Sequence, residues 1–520
     1  MSGVTGDGRR RRSPTRRVIV RVAAAVVAAC LLVAAGVTTW FAVSYLTIPV
    51  NTVGAVDFDR ALDIPPLAQS RVEDGVRTFD LTMQSGEADL GRGSPTPTWG
   101  IDGPHLAPTI RAARGERVEV RVTNDLDEAS TLHWHGMHLP AEMDGGPHQM
   151  IAPGETWAPG WVVDQPAATL WYHPHPHGTT ADHVYRGLAG MFILDDEDES
   201  ALALPRDYGV DDIPLIVQDK KFDDDGTLDT STSFMHSTGI IGDTVLVNGT
   251  PGPYFDVTTR TVRLRILNGS NVRPYNFGFE DDRAFSVIGT DGGLLEAPIR
   301  LDRVQLSPGE RAEIVVPFTA GERVRLQSGP SDTGDRLAGG ADHLDIIEFR
   351  AAERLAGTTQ VPGQLVDVPR IDESSAARTR NFDLSGVSVN GRTMDMARID
   401  NVVTLGETEI WAVTNVDGQT HNFHVHDVQF QILDIGGREP PPHLRGWKDT
   451  VWLPQGQRIR LIMTFTDYAD DETPYMYHCH ILRHEDQGMM GQFVVVEPGR
   501  STDPSDYRLP VHHGHGSHGD

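Results

Sequence analysis

Histidines at a spacing of two carry the most chemical information in this chain. Five H-x-H pairs lie outside the C-terminal tail: His133/His135, His173/His175, His175/His177, His424/His426 and His478/His480. They fall in four segments, "LHWHG", "WYHPHPHG", "HNFHVH" and "YHCH". With 22 histidines in 520 residues, composition alone accounts for about one such pair. One pair can be a strand face decorated for packing or solubility. Four clusters, confined to residues 133–177 and 424–480, point to metal binding.

Strand geometry divides these residues further. Alternate side chains of a strand share a face, so each i, i+2 pair converges on one point. His424 and His426 therefore share a face and His421 points away. In "HCH", His478 and His480 share a face, while Cys479 points away. Parity predicts two metal sites served by one strand.

The Cys479 side has the softer donor set. His421, His484, Cys479 and the more distant Met489 form two imidazoles, one thiolate and one thioether, the set of a blue copper centre. Structural zinc also takes Cys and His but leaves this spacing and Met489 unexplained. The other side offers eight imidazoles: His133, His135, His173, His175, His424, His426, His478 and His480. Eight neutral nitrogens exceed one metal's needs and fit a cluster of three copper ions. The lack of carboxylates in the set argues against di-iron or magnesium.

Such clusters need rigid strands to hold them. Short Val/Ile-rich runs such as "RVEVRVTN", "TVRLRILN", "AEIVVPF" and "GQFVVVE", separated by Gly, Pro, Asn and Asp, read as an all-β protein of sandwiches or barrels. "GERVEVRVTN" (115–124) matches "GETEIWAVTN" (406–415) without gaps, and "TRTVRLRILN" (259–268) is a looser middle copy. "PGETW", "PGERAEI" and "QGQRIRL" recur after them in constant order. Two elements in three ordered copies imply three homologous domains, placed at 70–197, 205–352 and 376–498. "DDEDES" (195–200) reads as a solvated link between the first two, and 353–380 as a polar linker before the third. Residues 499–520 form a His-rich tail, read as disordered with at most loose metal binding.

Net charge is −28, and the first 21 residues hold seven arginines against Asp7 alone. Removing that +6 leaves −34 on residues 22–520, which disfavours nucleic acid and suits cations. Residues 1–51 combine this basic start with an uncharged stretch from Val22 to Asn51, long enough to span a bilayer. Arginines on the N-terminal flank place the body outside the cytoplasm. "TRRVIVR" also resembles a twin-arginine export signal. An uncleaved membrane anchor and a cleaved signal giving a periplasmic or secreted protein both stay open. Cys30 lies in this stretch, so Cys479 has no disulfide partner in the body.

The histidine segments resemble those of the multicopper oxidases, the laccase-like family that includes bacterial copper-efflux oxidases and bilirubin oxidases. The resemblance spans residues 75–497, with all four motifs in order. It implies three cupredoxin-like Greek-key domains and four copper ions: one type 1, one type 2 and two type 3. Carried over by position, His421, Cys479, His484 and Met489 would hold the type 1 ion, and His133 and His424 the type 2 ion. His135, His173, His175, His426, His478 and His480 would hold the type 3 pair. The resemblance also raises Asp144 and Glu485 as proton relays near the cluster and Asp417 as an acid on the substrate side of the type 1 site. His138, His148 and His177 read as local residues outside the donor sets.

The implied activity is oxidation of a small reducing substrate, such as a phenol, an aromatic amine or Cu(I), coupled to reduction of O₂ to water. Two other readings compete: a copper-binding or resistance protein with incidental oxidase activity, and a structural cell-envelope protein on the same fold. Thirteen dispersed methionines, without a Met-rich insertion, make Cu(I) a less favoured substrate. Substrate and oligomeric state are not written in the sequence.

Overall fold

A computed structural model describes residue 3 and residues 14–232, 238–357 and 360–509. The chain divides into two compact units, 1–49 and 50–520. The first contains a helix over Pro14–Thr47. Its segment Arg17–Thr47 is long and apolar enough to cross a membrane, as either a membrane anchor or a signal would require. The arginines at positions 9–12 and the His-rich end of the tail lie outside the described residues.

The second unit is built from three pairs of β-sheets. The first pair is one sheet of Ser70–Glu73, Val76–Ala88, Arg117–Asp125 and Thr156–Trp157, joined by Thr96–Ile101 and Gly160–Val162, and one of Ile110–Ala113, Gly190–Asp195, Ala168–His173 and His133–His135. The middle pair has seven and six strands, and the last pair five and five. Each pair closes on its own apolar core, centred on Trp134 and Phe192, on Phe277 and Phe349, and on Trp411 and Phe493. Parallel neighbours recur within these sheets, as between Val76–Gln84 and Arg117–Asp125. Such neighbours cannot be joined by tight hairpins, which gives the crossovers of a cupredoxin-like fold.

The repeated asparagine has one structural job in all three copies. Asn124, Asn268 and Asn415 are fully buried at the ends of equivalent strands. Each amide donates to a carbonyl on a distant segment: Ile151 at 2.8 Å, Leu306 at 2.9 Å and Leu453 at 3.0 Å. Each also donates to its own turn and accepts the N–H two residues on. Their backbone N–H groups donate to Glu155, Glu310 and Gln457, the residues just after the glycine of the second repeated element. The two repeats are thus the two halves of one hydrogen-bonded lock, with the buried polar group satisfied on every side.

Two segments differ from the sequence reading. Residues 50–62, left outside the three sandwiches above, pad the middle one: Arg60–Ala61 pairs with Pro253–Tyr254, and Asn51 bridges His343. The acidic run at 195–200 is not simply solvated. Asp196 caps a short helix over Glu197–Ser200, and Glu199 is buried against Arg263. Arg263 and Arg265 are themselves buried on a strand of the middle sandwich, where unpaired charge is costly, so Glu199, Glu313 and Asp212 gather round them.

Candidate metal centres

Strand register brings the histidines together. His133 lies opposite His173 on the neighbouring antiparallel strand, and His424 lies opposite His478. His135, His175, His426 and His480 follow two residues along on the same faces. Across the boundary between the first and third sandwiches, His133 stacks on His426 at 3.9 Å and His135 on His424 at 3.7 Å between ring centroids. All eight rings are buried.

Six of the eight rings have a partner at the outer edge, while Nδ1 of His175 and of His480 has no hydrogen-bond partner. Nδ1 of His133 bonds the Asp144 carbonyl at 2.9 Å, Nδ1 of His173 the Pro174 carbonyl at 2.8 Å, and Nδ1 of His424 the Asp449 carbonyl at 2.8 Å. His426 Nδ1 lies 2.7 Å from Asp144 Oδ2, and His478 Nδ1 lies 3.2 Å from Glu485 Oε2. His135 is turned the other way: its Nε2 faces Asp449 Oδ1 and Thr450 Oγ1, both at 3.1 Å. The remaining nitrogens converge. Nε2 of His133 and of His424 are buried with no hydrogen-bond partner. Other inward nitrogens face one another, His175 with His478 at 3.1 Å, His426 with His478 at 3.2 Å, and His173 with His135 and His480 at 3.4 Å.

Electrostatics fit the same reading. Burial, reinforced by neighbouring imidazoles, pushes His135, His173, His424 and His426 well below the usual histidine range. It also takes His480 to about 3 and His175 to about 4, the latter against the pull of Glu485. These six rings are therefore neutral, with lone pairs crowded on a common interior. Lone pairs that face one another repel unless a proton or a cation lies between them, so a soft cation fits this space. The donors fall into two three-histidine groups, His135/His173/His480 and His175/His426/His478, with His133 and His424 grouped beside them.

The second centre forms as strand parity requires. His421, Cys479 and His484 meet on the far side of the His478–His480 segment, with His421 and His484 Nδ1 each 3.7 Å from Sγ and 3.1 Å from each other. Met489 is buried beside them, its carbonyl accepting the Cys479 N–H at 3.1 Å and its N–H donating to the His484 carbonyl at 2.8 Å. Burial pushes the Cys479 thiol up to about 12 and His484 down to about 3. A metal would have to displace that thiol proton, which a thiophilic ion does readily.

Sequence-suggested acids are placed as follows. Asp144 is buried between His133 and His426, its Oδ1 3.3 Å from His133 Nδ1. Glu485 is buried between His478 and His175. Burial alone would raise Glu485, but His175, His478 and His480 outweigh it and hold the carboxyl well below its usual range. Asp417, 19% exposed, lies 3.3 Å from His421 Nε2 and accepts the N–H groups of Gly386 and Gln419. Of the other histidines, His177 is exposed, His148 bonds Gln492, and His138 pairs with Asp427 and Asp467.

Two residues escaped the sequence reading. Asn422 Oδ1 accepts the His480 N–H at 2.6 Å and lies 3.5 Å from Cys479 Sγ, while its amide donates to the Pro308 carbonyl. Its even number put it on the cluster face with His424 and His426, so parity could have found it. Asp449 carries no spacing signal. Gly136, at φ 85°, exists for its sake: a Cβ there would sit 2.5 Å from Asp449 Oδ2.

Three family models, each described as multicopper oxidase, match residues 82–199, 218–324 and 361–499. The chain is 35% identical to a Staphylococcus haemolyticus protein named multicopper oxidase mco, over 83% of this chain and 92% of that one. It is 38% identical to a Xenorhabdus nematophila protein named cell division protein FtsP, over 84% and 93%. Among solved structures it resembles a laccase from Pediococcus acidilactici, with TM-score 0.76, 36% identity, and coverage of 84% of this chain and 95% of that one. It also resembles a laccase-like multicopper oxidase, CueO, from Ochrobactrum sp., with TM-score 0.77, 37% identity, and coverage of 84% and 100%. The chain belongs to the multicopper oxidase family, whose copper its buried imidazoles and thiol fit.

Proposed function

We propose that this protein is a laccase-like oxidase that couples one-electron oxidation of a small reducing substrate to four-electron reduction of O₂ to water. The observation that carries this reading is the split at residues 478–480. Three consecutive side chains of one strand end and its turn serve two donor sets, with Cys479 on one side and His478 and His480 on the other. In this reading His421, Cys479, His484 and Met489 hold a type 1 copper and His133 and His424 a type 2 copper. His135/His173/His480 and His175/His426/His478 hold the type 3 pair. Copper in these sites supplies electron uptake at Cys479 and O₂ reduction among the imidazoles.

The chain's own residues do the rest. The main chain from Cys479 to its two neighbours is the covalent link between the sites. Asp144 and Glu485, both in contact with cluster histidines, are positioned to pass protons inward. Burial of the eight rings excludes bulk water and larger molecules. Asp417, partly exposed, lies beside the buried His421, and its carboxylate favours a cationic donor such as an amine or a metal ion. The helix over Pro14–Thr47 would carry the body out of the cytoplasm, as an anchor or an export signal.

Relatives named cell division protein FtsP support a second reading, a structural role on the same fold. Such a role needs none of the ten converging histidines or Cys479. Copper analysis with visible spectroscopy of the purified holoprotein separates the two. The oxidase reading expects about four coppers per chain and an intense blue colour, and a colourless protein that takes up no copper overturns it. Oxygen consumption with phenols, a bulky aromatic donor and Cu(I) then ranks the substrates.

A further inference from the structure

The middle sandwich gives no imidazole to the cluster, yet its Arg311 is fully buried against the residues that hold two of them. Nη1 and Nη2 bond Oδ1 and Oδ2 of Asp449 at 2.7 and 2.6 Å. Nε bonds the Thr169 carbonyl of the first sandwich at 2.9 Å, and Nη2 the Asp291 carbonyl at 2.9 Å. One guanidinium therefore touches all three sandwiches. On its far side Asp449 faces His135 Nε2 through Oδ1, and its carbonyl accepts from His424 Nδ1. Thr450 Oγ1 lies 3.1 Å from His135 Nε2 and 3.2 Å from His424 Nδ1, and 2.9 Å from Asp449 Oδ1.

We propose that Arg311 is a positioning residue for the histidine cluster: through Asp449 it fixes which nitrogens of His135 and His424 face inward. The inference rests on the copper reading above. His135 is the ring turned so that Nδ1 points into the cluster, and the Asp449 carboxylate is what turns it. A carboxylate buried to this degree keeps its aim only when both oxygens are held by a matched partner. Among the described residues Arg311 is the only arginine or lysine paired with Asp449. The adjacent Lys448 is committed to Asp291 at 2.8 Å and Glu310 at 3.0 Å. A planar fork that meets both carboxylate oxygens sets direction as well as charge, which an ammonium cannot do. The middle sandwich thus has a role in metal binding without supplying a ligand.

The test uses full-length protein loaded with copper, with Arg311→Lys compared against Arg263→Lys. Arg263 is equally buried in the same sandwich but pairs with Glu199 and Glu313 and touches no histidine. Arg311→Lys is expected to keep the blue colour of the Cys479 site. Its histidine cluster should lose copper to a chelator about 10- to 100-fold more readily, with a changed type 2 electron paramagnetic resonance spectrum. Arg263→Lys should match the parent in both. If Arg311→Lys does not fold, Asp449→Asn removes the same ion pair from the other side and should show the same selective loss. Parent-like copper retention and spectrum in the variant overturn the role of Arg311, as does equal loss in Arg263→Lys. A parent that binds no copper instead overturns the copper reading itself.

Discussion

The two donor sets meet at one strand end and are finished in opposite ways. Every ring of the eight-histidine cluster is buried, and six of the outer edges are held by carbonyls and carboxylates drawn from two sandwiches. The Cys479 site is also buried, but the outer edge of His421 meets only Asp417, whose side chain reaches solvent. In the proposed oxidase this difference would separate two chemical needs. A centre that handles a gas and protons gains from closure, whereas one that takes electrons from molecules of varied shape needs a single edge near the surface.

The most severe way to break this comparison is Cys479→Ser, which removes the thiolate common to both halves of the path. Blue colour and substrate turnover should both vanish while the histidine cluster still binds copper. Retained colour would reverse the assignment. On the closed side, Asp144→Asn keeps the shape of the residue that touches His133 and His426 but removes its proton-carrying group. Turnover should fall by about 10²- to 10⁴-fold with copper content intact and anaerobic bleaching of the blue colour unchanged. Normal reoxidation of the reduced variant by O₂ would reject the relay. On the open side, Asp417→Asn should weaken kcat/KM for cationic donors by about tenfold at low salt, with little change for neutral phenols. Equal losses for both donor classes would deny Asp417 a role in recognition.

The smallest expected effect lies between the two sandwiches that share the cluster. His138 follows His135 by three residues, and its ring pairs with Asp427, the residue after His426, and with Asp467. Burial opposes its charge, but these carboxylates win and raise it to about 10 from the ordinary 6.5. A base raised on folding stabilises fully below the unfolded value and loses that contribution as pH climbs through the folded one. The melting temperature of His138→Gln should therefore fall furthest below the parent's at about pH 6, and the gap should close by about pH 10. A deficit independent of pH would assign His138 to packing alone.

Much of this was legible from residue spacing. Period-two parity separated Cys479 from its flanking histidines, and the repeats marked three sandwiches, because both are local properties of a strand. What stayed hidden depends on contacts across the chain. Arg311 reads as one arginine among 42, since its meaning lies in Asp449, 138 residues away. Glu199 looked like part of a solvated acidic run because Arg263, its partner, lies 64 residues further on. Residues 50–62 carry too short a strand to announce that they join the middle sandwich. Asn422 was the exception, a local signal that the attention given to histidine obscured.

The asparagine lock has one more consequence. It is complete in the middle sandwich, around Asn268, where no metal donor set is found among the described residues. The lock therefore draws on no metal donor in any of the three sandwiches, so holding the turns and holding copper are tasks of separate residues.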